Sequence, residues 1–201
     1  MKPPRLLVFA GANDSGKSTL TKIYRRKLEL IGLILDPDAE ARLLNPKDVS
    51  KAAIQAARNI LARQQELLDS GQSFALETTL SSKGNLELMQ EARIRGWVVK
   101  LAYVGLGNVR RNIQRVRQRV QNGGHDVPLE DIKRRFERSM TNLPIAAELA
   151  DTFALYDNSG LEMRRMLYIK NHRIRRYAST NGKTWWEVAL EPYLKSLETR
   201  E

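Results

Sequence analysis

Gly11-Ala12-Asn13-Asp14-Ser15-Gly16-Lys17-Ser18 fits the spacing G-x-x-x-x-G-K-S, and no other feature of the chain limits its fold as tightly. The run before it, Arg5-Leu6-Leu7-Val8-Phe9-Ala10, is short and apolar and reads as a buried strand. From Gly16 to about residue 29, Leu20, Ile23, Tyr24 and Leu28 fall on one side and read as a helix. A loop of this spacing between strand and helix turns successive backbone N–H groups inward, and the helix N-terminus favours negative charge there. Such a loop grips a triphosphate. Lys17 is placed to reach the β- and γ-phosphates, and the Ser18 hydroxyl to join a Mg²⁺ coordination sphere. ATP and Mg²⁺ are therefore the expected ligands, with Gly11, Ala12, Asn13, Asp14, Ser15, Gly16, Lys17, Ser18 and Thr19 as the nucleotide-binding residues. Asp14 is the unusual member, and it is expected to take a left-handed conformation with its carboxylate pointing away from the phosphates.

The rest of the chain alternates in the same manner. Short apolar runs at 33–36, 74–78, 97–104 and 152–156 read as further strands, and residues 47–69, 82–95, 108–122 and 129–142 as helices. Short apolar strands alternating with helices predict an α/β fold: a mostly parallel five-stranded sheet flanked by helices, of the P-loop NTPase and kinase type. Beyond Gly160 the pattern changes. Residues 166–169 and 174–177 pair as a hairpin around Asn171-His172, and residues 184–198 form a terminal helix with Trp185, Val188, Leu190 and Leu194 against the body. Pro192 is expected to kink or break that helix. No repeat or linker divides the chain, so one domain is expected, with a core over about 5–160 and an extension over 161–201.

Charge and composition narrow the class of partner. The chain carries 34 Lys and Arg against 23 Asp and Glu, a net charge of +11, which favours anionic partners: nucleotides, sugar nucleotides, nucleic acids or acidic lipids. The absence of cysteine excludes a disulfide framework and thiolate metal sites. No apolar run is long enough to span a bilayer, no membrane partner is expected, and a cytoplasmic location is the simplest expectation.

In open α/β sheets the working residues sit at the carboxyl ends of the strands. The second strand delivers Asp36-Pro37-Asp38 there and the third Glu77-Thr78-Thr79. Beside a phosphate loop, one carboxylate can hold Mg²⁺ or its waters while another accepts a proton from an attacking hydroxyl. For Asp36-Pro37-Asp38 the competing reading is a turn in which the carboxylates bond only the backbone. Glu77, Thr78 and Thr79 are open between metal contact, substrate binding and strand capping. The helix at 108–122 turns Val109, Ile113, Val116 and Val120 to one face, expected to be buried, while Arg111, Arg115 and Arg119 recur every four residues on another. Transferring a phosphoryl group spreads negative charge over its oxygens, so one or two of these arginines are expected to face phosphate. Gly123-Gly124-His125-Asp126-Val127-Pro128 reads as the hinge of such a lid.

Taken together, the phosphate loop through Thr19, Leu35-Asp36-Pro37-Asp38, Leu76-Glu77-Thr78-Thr79-Leu80-Ser81, Gln114-Arg115-Val116-Arg117-Gln118-Arg119-Val120, Gly123-Gly124-His125-Asp126-Val127-Pro128, Arg134-Arg135-Phe136-Glu137-Arg138-Ser139 and Tyr156-Asp157-Asn158-Ser159 resemble the zeta toxin family of P-loop kinases. The resemblance covers residues from about 5 to 160. It implies an ATP-dependent kinase resembling the UDP-N-acetylglucosamine kinases, with an antitoxin as protein partner. It also implies Lys17 and Ser18 as phosphate and Mg²⁺ ligands, Asp38 as base toward a sugar hydroxyl, and Arg115 and Arg119 as phosphate-facing arginines. Two positions depart from the pattern: Asp14 stands where a glycine is common, and Thr78-Thr79-Leu80-Ser81-Ser82 lacks an arginine found in the toxin motif.

The expected activity is transfer of the γ-phosphoryl group of ATP to a hydroxyl of a small molecule, with Lys17, Asp38, Arg115 and Arg119 catalytic and Asp36, Glu77, Thr78 and Thr79 holding substrate. Two alternatives compete: a nucleic-acid-directed kinase or RNA-binding protein, motivated by the charge, and a partner protein that hydrolyses ATP slowly.

Overall fold

The computed structural model describes residues 2–26, 32–170, 173–176 and 184–199. Five strands lie parallel: β1 (Arg5–Ala10), β2 (Leu33–Leu35), β3 (Phe74–Thr78), β4 (Val98–Gly105) and β5 (Thr152–Asp157). Two more, β6 (Arg164–Lys170) and β7 (Arg173–Arg176), run antiparallel and join the same sheet, in the order β2-β3-β1-β4-β5-β6-β7. The expected hairpin is thus part of the sheet, which has seven strands where five were expected. The residues proposed to turn it, Asn171 and His172, lie outside the described residues, as do residues 27–29 of the expected first helix, Leu28 among them.

Alternation along the strands builds two cores. Leu6, Val8 and Ala10 face one side of β1, with Phe74, Leu76, Val99, Leu101, Phe153 and Leu155 from its neighbours. That side is covered by α3 (Val49–Asp69), α4 (Lys83–Ile94), α6 (Leu129–Leu149) and α7 (Trp185–Glu198). Leu7 and Phe9 face the other side, under Leu20 and Tyr24 of α1 (Lys17–Arg26). Phe9 and Tyr24 meet edge to face, their ring centroids 5.3 Å apart.

Three departures from expectation have local causes. Pro37 does not simply end β2; it opens a short helix, α2 (Pro37–Leu44). Asp36 caps it, accepting hydrogen bonds from the Asp38 and Ala39 amides at 2.9 and 3.2 Å, and proline suits the first helical position because its missing N–H needs no partner. Helix α6 continues past residue 142 to Leu149 because Leu143, Ala146 and Ala147 extend its apolar face, and Pro144 sits inside it. Helix α7 runs unbroken through Pro192, and its capping box at Thr184 and Glu187 fixes its start. It buries Trp186, Leu190, Tyr193, Leu194 and Leu197, whereas Val188, expected inside, is exposed.

Candidate active site

β1 is flanked by β3 on one side and β4 on the other, so the crevice at the carboxyl end of the sheet opens at its tip. The phosphate loop begins there with Gly11, whose φ is 143° and whose missing Cβ would fall against the carbonyl oxygen of Val104. No other residue fits that approach. Asp14 does adopt a left-handed conformation, with φ 54°.

The loop is braced from two directions. From α5 (Val109–Gln121), Asn112 donates to the Asn13 carbonyl, and Arg115 donates to the Asp14 carbonyl at 3.4 Å and the Asn158 carbonyl at 2.7 Å. Arg119 pairs with the Asp14 carboxylate at 2.8 Å and donates to the His125 carbonyl at 2.7 Å. From the end of β5, Asn158 donates its side-chain N–H to the Ser15 carbonyl at 2.8 Å and its backbone N–H to Gly105 at 2.9 Å. Arg115, Arg119 and Asp14, with Gln118, Asn122 and Gly124, line a cavity of about 410 Å³ beside the loop. On α5, Val116 is fully buried while Val109, Ile113 and Val120 are half-buried, and the face that meets the loop belongs to Asn112 and the arginines.

Lys17 donates to the Ala12 carbonyl at 3.0 Å. Its surroundings pull in opposite directions: burial lowers its pKa below the usual lysine value, and the fields of Asp38, then Glu77, Asp14 and Asp36, oppose that fall. The carboxylates that follow β2 and the one near the end of β3 therefore all bear on the lysine. Ser18 donates its hydroxyl to Glu77 Oε2 at 2.8 Å, and Glu77 is buried at the tip of β3. A hydroxyl and a carboxylate side by side are hard oxygen donors of the kind Mg²⁺ takes alongside substrate phosphates. Among the described residues no cluster of three His, Asp or Glu offers an all-protein metal cage. The side-chain oxygens of Asn13 and Ser15 are buried without a partner, as a loop built to receive a polar ligand leaves them.

The other acidic candidates divide. Asp36 caps α2 and has Arg42 at 4.0 Å, the backbone-bonding alternative that its sequence left open. Asp38 is exposed on the first turn of α2, and its carboxylate has no hydrogen bond among the described residues. Thr78 Oγ1 accepts from the Leu80 amide at 3.0 Å and from Asn85 at 2.9 Å, and Thr79 shares a hydrogen bond with Ser81 at 2.8 Å. These contacts hold the turn after β3, where Leu80 has φ 58°. Sequence reasoning missed Asn112 and named Asn158 only within the Tyr156-Asp157-Asn158-Ser159 segment, without a role. Asn112 is a fully buried polar side chain at the edge of the Val/Ile face of α5, and that break in pattern was its available signal.

Comparison with known proteins agrees with this fold. A 132-residue stretch is 30% identical to an uncharacterized protein of Haemophilus influenzae, covering 66% of this chain and 92% of that protein. The fold is similar to that of AvrRxo1-ORF1 in its complex with ORF2 and ATP, with a TM-score of 0.65 at 15% identity, over 87% of this chain and 60% of that one. It is also similar to a structure from the PezAT chromosomal toxin–antitoxin system of Streptococcus pneumoniae, with a TM-score of 0.59 at 15% identity, over 99% of this chain and 86% of that one. The zeta toxin family model matches residues 1–163, and with its phosphate loop, seven-stranded α/β sheet and arginine helix in place, the chain belongs to the zeta toxin family.

Proposed function

We propose that the protein is an ATP-dependent kinase that transfers the γ-phosphoryl group to a hydroxyl of a small molecule. One observation carries this reading: two carboxylates with different surroundings act on Lys17, Glu77 held by Ser18 at 2.8 Å and Asp38 exposed and unbonded. The loop amides and Lys17 bind the triphosphate. Ser18 and Glu77 are the residues that would hold Mg²⁺, which would supply positive charge to the triphosphate. Asp38 takes the proton of the attacking hydroxyl, because its carboxylate is exposed and not committed to the backbone as that of Asp36 is. Arg115 and Arg119 lie against the loop and supply positive charge for the transition state. Asp36, Thr78 and Thr79 shape the acceptor side through α2 and the turn after β3.

A sugar nucleotide such as UDP-N-acetylglucosamine is the acceptor that family membership favours, and the PezAT system supports an antitoxin as a protein partner. No described helix is long and apolar enough to cross a membrane, and a cytoplasmic location remains part of the reading. The test is to incubate the protein with ATP, Mg²⁺ and a metabolite extract and search for new phosphorylated species by mass spectrometry. Lys17→Ala should abolish turnover, and ATP hydrolysis without any phosphorylated product would refute the transfer.

A further inference from the structure

From Arg164 to Arg176 the chain carries six cations and no acidic residue, on the two strands that the expected five-stranded sheet did not include. The register sorts them. Thr152 is opposite Lys170, Ala154 opposite Tyr168 and Tyr156 opposite Arg165; Lys170 and Tyr168 are in turn opposite Arg173 and Arg175. Residues directly opposite in antiparallel strands share a face. One face of the ribbon therefore presents Arg165, Tyr168, Lys170, Arg173 and Arg175, while Leu167, Ile169 and Ile174 point into or against the core. The irregularity between Leu155 and Tyr156 puts an extra residue, Met166, into β6 and so brings Arg165 onto the face of Tyr168. There its guanidinium lies over the tyrosine ring, 5.5 Å from the centroid. Arg165, Lys170, Arg173 and Arg175 are all exposed.

Many cations on the helices are paired. On α3, α4, α6 and α7, Lys51, Arg63, Arg95, Lys133, Arg134 and Lys195 each meet an acid three or four residues away. Lys170, Arg173 and Arg175 have no ion pair among the described residues, and Lys170 faces Arg173 directly, an opposition that destabilises a sheet. Cations on an edge strand guard against unwanted pairing, which accounts for β7. It does not account for Lys170 or the Arg165–Tyr168 stack on β6, an interior strand.

We propose that this face binds single-stranded nucleic acid. The cations neutralise backbone phosphates, relieving the Lys170–Arg173 repulsion, and Tyr168 with the Arg165 guanidinium over it offers a base an aromatic and cationic partner. The proposal is independent of the kinase reading, since none of these residues belongs to the phosphate loop or its braces.

Fluorescence anisotropy with labelled oligo-U and oligo-dT of about 12 nucleotides tests it. Four cations predict a log–log salt slope of about 2.8, from roughly 0.7 per phosphate contact. Lys170→Glu/Arg173→Glu/Arg175→Glu should reduce that slope by about 2 and weaken binding more than tenfold. Tyr168→Ala should weaken single-strand binding about tenfold. Lys170→Gln/Arg173→Gln serves if the charge-reversed variant fails to fold, with folding checked by circular dichroism. Unchanged binding by the charge variants overturns the proposal. So does binding to phosphatidylserine-containing vesicles but not to oligonucleotides, which would assign the face to a membrane. Equal affinity for duplex and single strand, indifferent to Tyr168→Ala, also overturns it.

Discussion

Trp185, the first residue of α7, lies across the tip of β4, and a substitution at Gly105 should reveal how firmly. A methyl group on Gly105 would fall inside contact distance of three indole carbons, Cη2, Cζ2 and Cζ3, the last at 2.9 Å. Gly105 is absent from the positive-φ positions, so alanine suits its backbone and the penalty is steric alone. Overpacking of this kind costs about 1–3 kcal/mol. For a chain of 201 residues each kcal/mol shifts Tm by about 2–4 °C, so Gly105→Ala should lower Tm by roughly 4–8 °C if the cost is near 2. Trp185→Ala alone removes a half-buried indole and should cost about 2–3 kcal/mol, below the range for a fully buried tryptophan. With the indole gone the three nearest contacts of the added methyl are gone too. The double variant should therefore melt close to Trp185→Ala, giving a coupling of about 1–3 kcal/mol in a double-mutant cycle read by thermal denaturation. Strict additivity of the two losses would refute the contact.

Other substitutions test the site itself. Asp38→Asn should spare ATP binding and lower kcat by about a hundredfold or more, the loss expected for a general base; full activity would remove Asp38 from that role. Glu77→Gln keeps an oxygen for the Ser18 hydroxyl but loses the charge, and should weaken the Mg²⁺ dependence of turnover by about 10- to 100-fold in a metal titration. Asp14→Gly and Asp14→Ala both lose the pair with Arg119, yet alanine must also hold φ 54°, so it should be less stable than glycine by about 1 kcal/mol in parallel melts. Lys17→Met should raise Tm near neutral pH, because the lowered pKa marks a charged group desolvated by folding. Between that lowered pKa and the ordinary lysine value of 10.5 the unfolded chain binds more protons than the folded one, so wild-type stability rises with pH there. The advantage of the variant should shrink across that window and be gone above it.

Strand positions were legible because short apolar runs flanked by glycine leave few choices: β1 and β3 were expected over residues 5–10 and 74–78 and occur there. The phosphate loop was legible because its chemistry constrains spacing. What sequence reading missed depends on which neighbours a residue meets. Asp36 and Pro37 carry the signature of a helix start, but beside a strand they read equally well as a turn, and α2 was lost. The arginine spacing on α5 placed Arg115 and Arg119 on one stripe but could not show that the stripe grips the Asp14 carboxylate and the carbonyls of Asp14 and Asn158. The cationic side of β6 and β7 was hidden because its grouping depends on a one-residue irregularity in register.

Asn158 uses its backbone N–H on Gly105, its side-chain N–H on Ser15 and its carbonyl on Arg115, so one residue fastens the tip of β4, the phosphate loop and α5 together. The loop cannot loosen one tie at a time. Its amides and those around Gly105 should then exchange with deuterated solvent as a single cooperative unit, released when the end of β5 comes away. A ligand seated on the loop would slow exchange at Asn158 and along the first turn of α5 to the same extent, although neither need touch it.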